Sequence, residues 1–277
     1  MPELPEVQTV VDDLIAAGVP GTVITGAGVF WHKTVATHSA DDFCRRVRNH
    51  RITGITRRGK YIIFQLQPKR ALLIHLRMTG RFTLAPTGLK RTRHDHVILQ
   101  LDNSRQLRFH DTRKFGRLFL VPDSHTITGH LGPEPLSAGF TAKKLAAMLS
   151  SRKRQLKPLL LDQSFIAGLG NIYVDEALWA ARLHPLRSAA SLDAMQAHRL
   201  HRAIRKVLQQ GLKNAGTTLG SGQANFYSLE GESGRNRSFL KVFRRTGQAC
   251  PRCKYPVERL IVGQRSTHIC NHCQEPP

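Results

Sequence analysis

The chain has 277 residues, of which 40% are hydrophobic, enough for one large domain or two medium-sized domains with a substantial core. Its 42 Lys and Arg against 19 Asp and Glu give a net charge of +23, which indicates a polyanionic partner, most often nucleic acid. A membrane surface is the main competing partner. The sequence shows neither an apolar run of membrane-spanning length nor a signal peptide, so we expect a cytoplasmic protein without a membrane segment.

The first residues, Met1-Pro2-Glu3-Leu4-Pro5-Glu6, allow two interpretations. If Met1 is removed, Pro2 carries a free secondary amine, and α-amino groups have a pKa of about 8, so part of it is unprotonated at neutral pH. Such an amine can attack an electrophilic sugar carbon to form an iminium, with Glu3 as a local acid or base. Alternatively, Pro5 only occupies the first turn of a helix, where the helix dipole favours Glu6.

Apolar residues recur at helical spacing across residues 6–17 and Gly18 follows, so this segment is predicted to be a helix. From there to about Val121, short apolar runs between turn residues predict the strands of a β-sandwich or barrel, interrupted by one helix at 39–48. The candidate strands are 52–56, 61–66, 71–76, 97–101, 107–110 and 117–121.

The prolines and glycine of residues 131–135 mark the best domain boundary, and the pattern beyond them is helical. Thr141 is expected to cap a helix over 142–149, and Ser191 to cap a long helix that includes residues 195–212.

Between these helices the sequence predicts a short helix, a double turn with Gly168 and Gly170, and a second helix that begins near Asn171. A glycine-lined turn that opens a helix can bind a phosphate through its backbone N–H groups. Asn171 is also a good N-cap residue, and from these residues alone structural capping is favoured over phosphate binding. The polar, glycine-containing stretch 217–238 is typical of a functional lid or of plain disorder.

The carboxy-terminal segment carries Cys250-x2-Cys253 and Cys270-x2-Cys273, a spacing that predicts one closed, structural zinc site. Two strands at 257–262 and 267–269 would join in a turn with Arg265 at an exposed tip. Cys44, outside this pattern, is expected to be a small buried residue.

Basic clusters at 57–60, 91–94, 113–114 and 152–154 suggest a groove that follows a phosphate backbone, although each cluster alone would fit a solvated surface. Two strand ends at glycine turns carry Met78 and Phe115. Held outward, these side chains would act as wedges in a base stack, whereas the alternative is ordinary core packing.

Taken together, these motifs resemble the formamidopyrimidine-DNA glycosylase family, and they occur in the same order from the first residues to the last. The motifs are Met-Pro-Glu-Leu-Pro-Glu-Val at 1–7, Arg-Arg-Gly-Lys-Tyr at 57–61, His-Leu-Arg-Met-Thr-Gly at 75–80, His-Asp-His-Val at 94–97, Arg-Lys-Phe-Gly at 113–116, Leu-Gly-Pro-Glu-Pro-Leu at 131–136, Gly-Leu-Gly-Asn-Ile-Tyr at 168–173 and the four-cysteine finger that ends in Cys273-Gln274.

The resemblance implies an α+β protein with an N-terminal β-sandwich and a leading helix (1–134), a helix–two-turn–helix domain with a lesion-covering loop (135–238) and a C-terminal zinc finger (239–277). It also implies a monomeric base-excision repair enzyme that binds damaged double-stranded DNA in a cleft and holds one structural zinc ion. Such an enzyme removes 8-oxoguanine and formamidopyrimidines through a Schiff base on the N-terminal proline and then cleaves the strand by β- and δ-elimination.

By position, Pro2 matches the family's nucleophile, and Glu3 matches the acid–base partner of that nucleophile. Lys60 matches the lysine that assists β-elimination, and Arg265 matches the zinc-finger arginine assigned to δ-elimination. The matched DNA-binding positions are His94, Arg113, Arg152, Lys157 and Asn171, and the trio that fills the gap left by the extruded nucleotide is Met78, Arg113 and Phe115. The loop 219–237 departs most from the family pattern. Because this loop covers the flipped base in the family, the resemblance specifies the preferred lesion less well than it specifies the reaction.

Three alternatives remain open from the sequence. An endonuclease VIII-type relative would prefer oxidised pyrimidines, but Leu4 and the separated Met78, Arg113 and Phe115 favour the purine type. A non-catalytic DNA-binding relative would not need Pro2, Glu3 and Lys60. A zinc-ribbon interaction protein would explain the four cysteines but none of the N-terminal motifs.

Overall fold

A computed structural model describes residues 1–220 and 226–276, and its chain divides into two compact units. The first comprises residues 1–130 together with 214–235, and the second comprises 131–213 together with 236–277. Within the described residues, no helix is both long and apolar enough to span a membrane.

The first unit consists of one helix against eight antiparallel strands, with two further short helices. Its elements are α1 (Leu4–Ala16), β1 (Val23–Val29), a 3-10 turn (His32–Thr34), α2 (Ala40–Val47), β2 (His50–Arg58), β3 (Tyr61–Gln67), β4 (Arg70–His75), β5 (Gly80–Pro86), β6 (Asp95–Leu101), β7 (Arg105–Asp111), β8 (Arg117–Val121) and α3 (His125–Thr128).

The strands form one hydrogen-bonded sheet in the order β5-β7-β6-β1-β2-β3-β4-β8. Phe64 of β3 and Phe82 of β5 are not on adjacent strands, yet their ring centroids lie 5.9 Å apart, so the sheet folds back on itself around a shared core. The apolar face of α1, including Val7, Val11 and Leu14, packs into that core. The predicted sandwich with a leading helix is therefore confirmed.

Two strands were not predicted from the sequence, and each contains glycine or proline residues that interrupt or bound it. β1 contains Gly26 and Gly28, and its pairing with β6 shifts register between Ile24 and Gly26, which breaks the alternation that marks a strand. β5 begins at Gly80, directly after the turn that holds Met78, and ends at Pro86.

The second unit is helical and ends in a small hairpin. Its elements are α4 (Ala142–Ser150), α5 (Leu156–Leu160), α6 (Asn171–Ala181), a 3-10 turn (Ala189–Ser191), α7 (Ala194–Lys213), a 3-10 turn (Asn236–Phe239), β9 (Glu258–Val262) and β10 (Arg265–Ile269). Thr141 caps α4 as predicted, because its hydroxyl accepts from the Lys144 N–H at 3.2 Å.

Two other predicted caps are wrong. Gly170, not Asn171, is the N-cap of α6, and the Asn171 side chain instead donates to the Ser266 carbonyl. Ser191 lies in a separate 3-10 turn, and α7 is capped by Asp193, whose carboxylate accepts from the Gln196 N–H at 2.7 Å while Gln196 Oε1 accepts from the Asp193 N–H. A reciprocal pair of this kind satisfies two otherwise unpaired donors.

The two compact units differ from the predicted domains in two respects. Residues 214–235, which the sequence placed with the helical domain, belong to the first unit because Leu229 packs into its core and the Leu229 N–H donates to Asp13. The helices and the four-cysteine module, predicted as separate domains, share the second unit.

The cap of α7 can be tested by substitution. Asp193→Ala should lower the free energy of unfolding by about 1 kcal/mol, because the first turn of α7 loses its acceptor. Ser191→Ala, which removes the cap that the sequence predicted, serves as the control. Thermal unfolding of both variants decides the point, and a larger loss for Ser191→Ala would contradict the observed cap.

Candidate functional site

The amino-terminal residues are fixed by the first turn of α1. Pro2 and Glu3 are buried, whereas Met1 is 50% exposed. Glu3 is the N-cap residue, and its N–H donates to Glu6 Oε2 at 2.8 Å. The first turn of the helix thus orients the two residues that the sequence singled out, and Met1 lies at the surface beside them.

The second carboxylate oxygen of Glu6 holds a distant part of the chain. Glu6 Oε1 accepts from the Thr217 N–H at 2.8 Å, where the stretch 217–238 begins. Gly216 has a φ of +78°, and a Cβ there would lie 2.9 Å from Glu6 Cγ, so only glycine fits this approach. The sequence had assigned Glu6 only a helix-dipole role, and residues 221–225 of the predicted lesion-covering loop lie outside the described residues.

Lys60 lies in a tight turn between β2 and β3. Arg58 pairs with Tyr61, so the loop is the two residues Gly59 and Lys60, and Gly59 has a φ of +56°. Only 4% of Lys60 is exposed. This placement holds the lysine side chain within the first unit, away from free solvent.

His75, at the end of β4, lies in the electrostatic field of Lys60. Burial, and then the charges of Arg77 and Lys60, lower the pKa of His75 to about 3. Its Nδ1 accepts from the Arg77 N–H at 3.1 Å, and its ring packs edge-on against Tyr61. His75 is therefore neutral at physiological pH and adds no charge beside Lys60.

Met78, Arg113 and Phe115 lie together, as the resemblance implied. The guanidinium of Arg113 donates to Met78 Sδ at 3.0 Å and stacks 4.8 Å from the centroid of the Phe115 ring. Met78 is 40% exposed and Phe115 47% exposed, so the alternative of core packing is excluded for both. Two apolar groups and one cation form an outward-facing cluster.

Buried Asp111, which the sequence analysis missed, holds the two turns that carry this cluster. Its Oδ1 accepts from the Thr79 hydroxyl and from the Arg113 N–H, and its Oδ2 accepts from the Gly116 N–H at 2.7 Å. An Asp that ends a strand just before a turn is a recognised signal for bonds to nearby backbone N–H groups, and that signal was available in the sequence.

His94 lies beside two other imidazoles. Its ring centroid is 6.4 Å from that of His96 and 5.5 Å from that of His110. Burial lowers the pKa of both His96 and His110, and Asp95 accepts a hydrogen bond from His110 Nδ1 at 3.0 Å. His94 is therefore supported by two buried imidazoles, one of which is held by the Asp95 carboxylate.

In the second unit, the carbonyl of Ser266 joins the predicted helix–two-turn–helix segment to the hairpin. It accepts from Lys157 Nζ at 3.0 Å and from Asn171 Nδ2 at 2.9 Å. Asp175 then pairs with Lys157 at 2.6 Å and accepts from the His268 N–H at 2.9 Å. Together these bonds fix β10 to α5 and α6.

This network places Arg265, which is exposed at the start of β10. Val262 pairs with Arg265, so the turn is Gly263-Gln264, and both residues have positive φ. Lys157, in contrast, is fully buried and ion-paired, so it supports the hairpin from inside, and its direct contact with DNA stays a prediction. Arg152 is exposed just after α4.

The four predicted metal ligands converge. The Sγ atoms of Cys250, Cys253, Cys270 and Cys273 lie within 4.8 Å of one another. A tetrahedral zinc ion with Zn–S bonds of about 2.3 Å requires sulfur atoms roughly 3.8 Å apart, close to the 3.9 Å between Cys250 and Cys273. The residues fit one structural zinc ion, and they leave no ligand position open for catalysis.

Cys44 is half-buried rather than fully buried.

Family models match three consecutive segments of the chain. The formamidopyrimidine-DNA glycosylase N-terminal domain matches residues 1–118, the helix–two-turn–helix domain of the same enzyme matches 131–222, and the zinc finger found in this enzyme and in isoleucyl-tRNA synthetase matches 247–276. The chain belongs to the formamidopyrimidine-DNA glycosylase family.

Full-length relatives agree with this family. The chain is 50% identical to a formamidopyrimidine-DNA glycosylase of Protochlamydia amoebophila and 45% identical to one of Herpetosiphon aurantiacus, with 99% of this chain and 100% of each relative covered. Among solved structures, a mutant Fpg protein of Lactococcus lactis in complex with DNA containing Fapy-dG is 34% identical with a TM-score of 0.91, over 99% of this chain and 100% of that one. The wild-type Lactococcus protein with DNA containing N7-benzyl-Fapy-dG gives a TM-score of 0.90 at 35% identity, over the same shares of the two chains.

Removal of the metal tests the zinc site. We expect one zinc ion per chain by elemental analysis and, after chelation, a lower unfolding temperature that added zinc restores, because metal binding contributes to folding free energy. Cys44→Ser is the matched control and should retain its zinc. A purified protein without stoichiometric zinc would contradict the assignment.

Burial of His75 predicts a pH dependence of stability. Its pKa is about 3 when folded against an ordinary value of 6.5, so between these values the unfolded chain binds more protons and stability falls as pH decreases. The loss below about pH 6.5 approaches 1.4 kcal/mol per pH unit.

Urea unfolding between pH 7 and pH 5 measures this effect. His75→Gln should flatten the decline, whereas the control His130→Gln, at an exposed position, should leave it unchanged. Equal slopes for the wild type and His75→Gln would show that His75 is not the group responsible.

Proposed function

We propose that this chain is a bifunctional DNA glycosylase and abasic-site lyase that removes oxidised purines, chiefly 8-oxoguanine and formamidopyrimidines, from double-stranded DNA. The observation that carries the proposal is the Pro2–Glu3 pair at the start of α1, held by Glu6, in a chain related over its whole length to formamidopyrimidine-DNA glycosylases. We further propose that it acts as a monomer in the cytoplasm, on the DNA of the nucleoid.

In the proposed reaction, removal of Met1 frees the nitrogen of Pro2, which attacks C1′ of the damaged nucleotide. The glycosidic bond breaks, the base leaves, and the sugar ring opens with Glu3 as acid–base partner, which gives an iminium between Pro2 and C1′. The iminium withdraws electrons from C2′, so a C2′ proton can be removed and the C3′–O bond breaks. Lys60 assists this β-elimination, and Arg265 assists the δ-elimination that follows by binding phosphate.

The exposed cluster of Met78, Arg113 and Phe115 supports a role in nucleotide extrusion. The target carbon is hidden inside a duplex, so the nucleotide must leave the stack at a cost of a few kcal/mol. Inserted apolar groups replace part of the lost stacking, and Asp111 holds the turns that carry them. We propose that His94, Arg113, Arg152 and Asn171 contact the DNA.

A comparison of lesions tests this proposal. Under single-turnover conditions, matched duplexes with 8-oxoguanine or thymine glycol at one position are incubated with the protein, and an undamaged duplex is the control. We expect strand cleavage about tenfold or more faster at 8-oxoguanine. Faster cleavage at thymine glycol would indicate the endonuclease VIII type, and binding without cleavage of either would indicate the non-catalytic relative.

A further inference from the structure

The second unit contains a groove, and the DNA-binding residues predicted for this unit are not among the residues that line it. The groove has a volume of about 1050 Å³ and lies between α6, α7, the start of α4 and residues 236–241. Six of its lining residues are cations: Arg199, Arg202, Arg205, Lys206, Lys241 and Arg252. Arg152, Lys157, Asn171 and Arg265 are not among its lining residues.

The groove is positive because it almost completely lacks acidic groups. α7 has 20 residues and not one Asp or Glu. The one acidic lining residue is Glu176, whose carboxylate is already occupied by the N–H groups of Lys241, Val242 and Phe243 at 2.8 to 3.0 Å. One carboxylate among the lining residues therefore opposes six cations.

Some of these cations serve the fold, but others have no such role. Arg199, Arg205 and Arg252 donate to backbone carbonyls. Arg202, Lys206 and Lys241 are exposed and form no ion pair within the described part of the chain. Arg202 and Lys206 are four residues apart on α7, and like charges at that spacing destabilise a helix. The arrangement costs stability, which points to a ligand that neutralises it.

Aromatic groups accompany the positive charge. Phe239 lines the groove and is 46% exposed. Trp179 also lines the groove and is half-buried, with the planar guanidinium of Arg252 stacked 4.1 Å from the centroid of its ring. A positive channel combined with exposed flat groups is the arrangement that proteins use to bind single-stranded nucleic acid, with phosphates on the cations and bases on the rings.

We propose that this groove is a second nucleic-acid site that binds a single strand while the repair site is occupied. Arg202, Lys206 and Lys241 bind the phosphates, and Phe239 stacks on a base. The site goes beyond the proposed function, since the repair chemistry needs none of these residues.

The test fills the proposed repair site first. The full-length protein is trapped with borohydride on a short abasic duplex, the adduct is purified, and fluorescent dT12 is titrated into it. The wild-type adduct should bind dT12. Arg202→Gln/Lys206→Gln should bind it about tenfold more weakly and lower the salt slope by about 1.4, because each single-strand phosphate contact contributes about 0.7. Phe239→Ala should also weaken binding about tenfold through lost stacking.

The matched control is Arg48→Gln/Lys69→Gln, which removes the same charge from exposed positions of the first unit and should leave dT12 binding unchanged. An equal loss of dT12 affinity in the control would overturn the proposal, because any loss of positive charge would then weaken binding. The proposal would also be overturned if inorganic polyphosphate displaced dT12 and Phe239→Ala had no effect, because binding would then be non-specific attraction to phosphate. An adduct that forms but does not bind dT12 would also overturn it. If no adduct forms, the proposed function fails instead, and a gel shows this before the titration.

Discussion

A single buried carboxylate organises the amino-terminal site. Glu6 is 1% exposed, and its two oxygens accept N–H groups from Glu3 and from Thr217, residues that are 214 positions apart in the chain. A buried carboxylate is costly unless its oxygens are paired, so both partners are held firmly in place. The position of Pro2 and the start of the stretch 217–238 therefore depend on the same side chain.

In the second unit, the buried carboxylate of Asp175 plays a similar organising role. It is 1% exposed, and it receives Lys157 Nζ and the His268 N–H, while the Ser266 carbonyl receives Lys157 and Asn171. Removal of one partner would leave a buried charge unpaired, which is far more damaging than the loss of an exposed ion pair. In both units, groups proposed to act on DNA are thus held by buried charges that need not touch it.

Much of this arrangement could be predicted from the sequence. The cysteine spacing predicts the metal site because the two cysteines of each pair are only three residues apart in the chain. The helical period of apolar residues predicts α1 and α4 because one face of each helix is buried. Glycine turns at two strand ends marked Met78 and Phe115 as possible wedges, and the family resemblance added Arg113. The role of Asp175 could not be predicted, because it depends on partners brought near by the fold rather than by spacing in the chain. β1 was missed for a local reason, since two glycines erase its alternation.

The central claim is that the nitrogen of Pro2 becomes bonded to the sugar of the damaged nucleotide. The most direct measurement is mass spectrometry of the borohydride-trapped adduct with abasic DNA after proteolysis. The account predicts one adduct, located on an amino-terminal peptide that begins at Pro2 after loss of Met1, and none for a variant with an extended amino terminus. An adduct on Lys60, or an extended variant that cleaves abasic DNA at the wild-type rate, would contradict it.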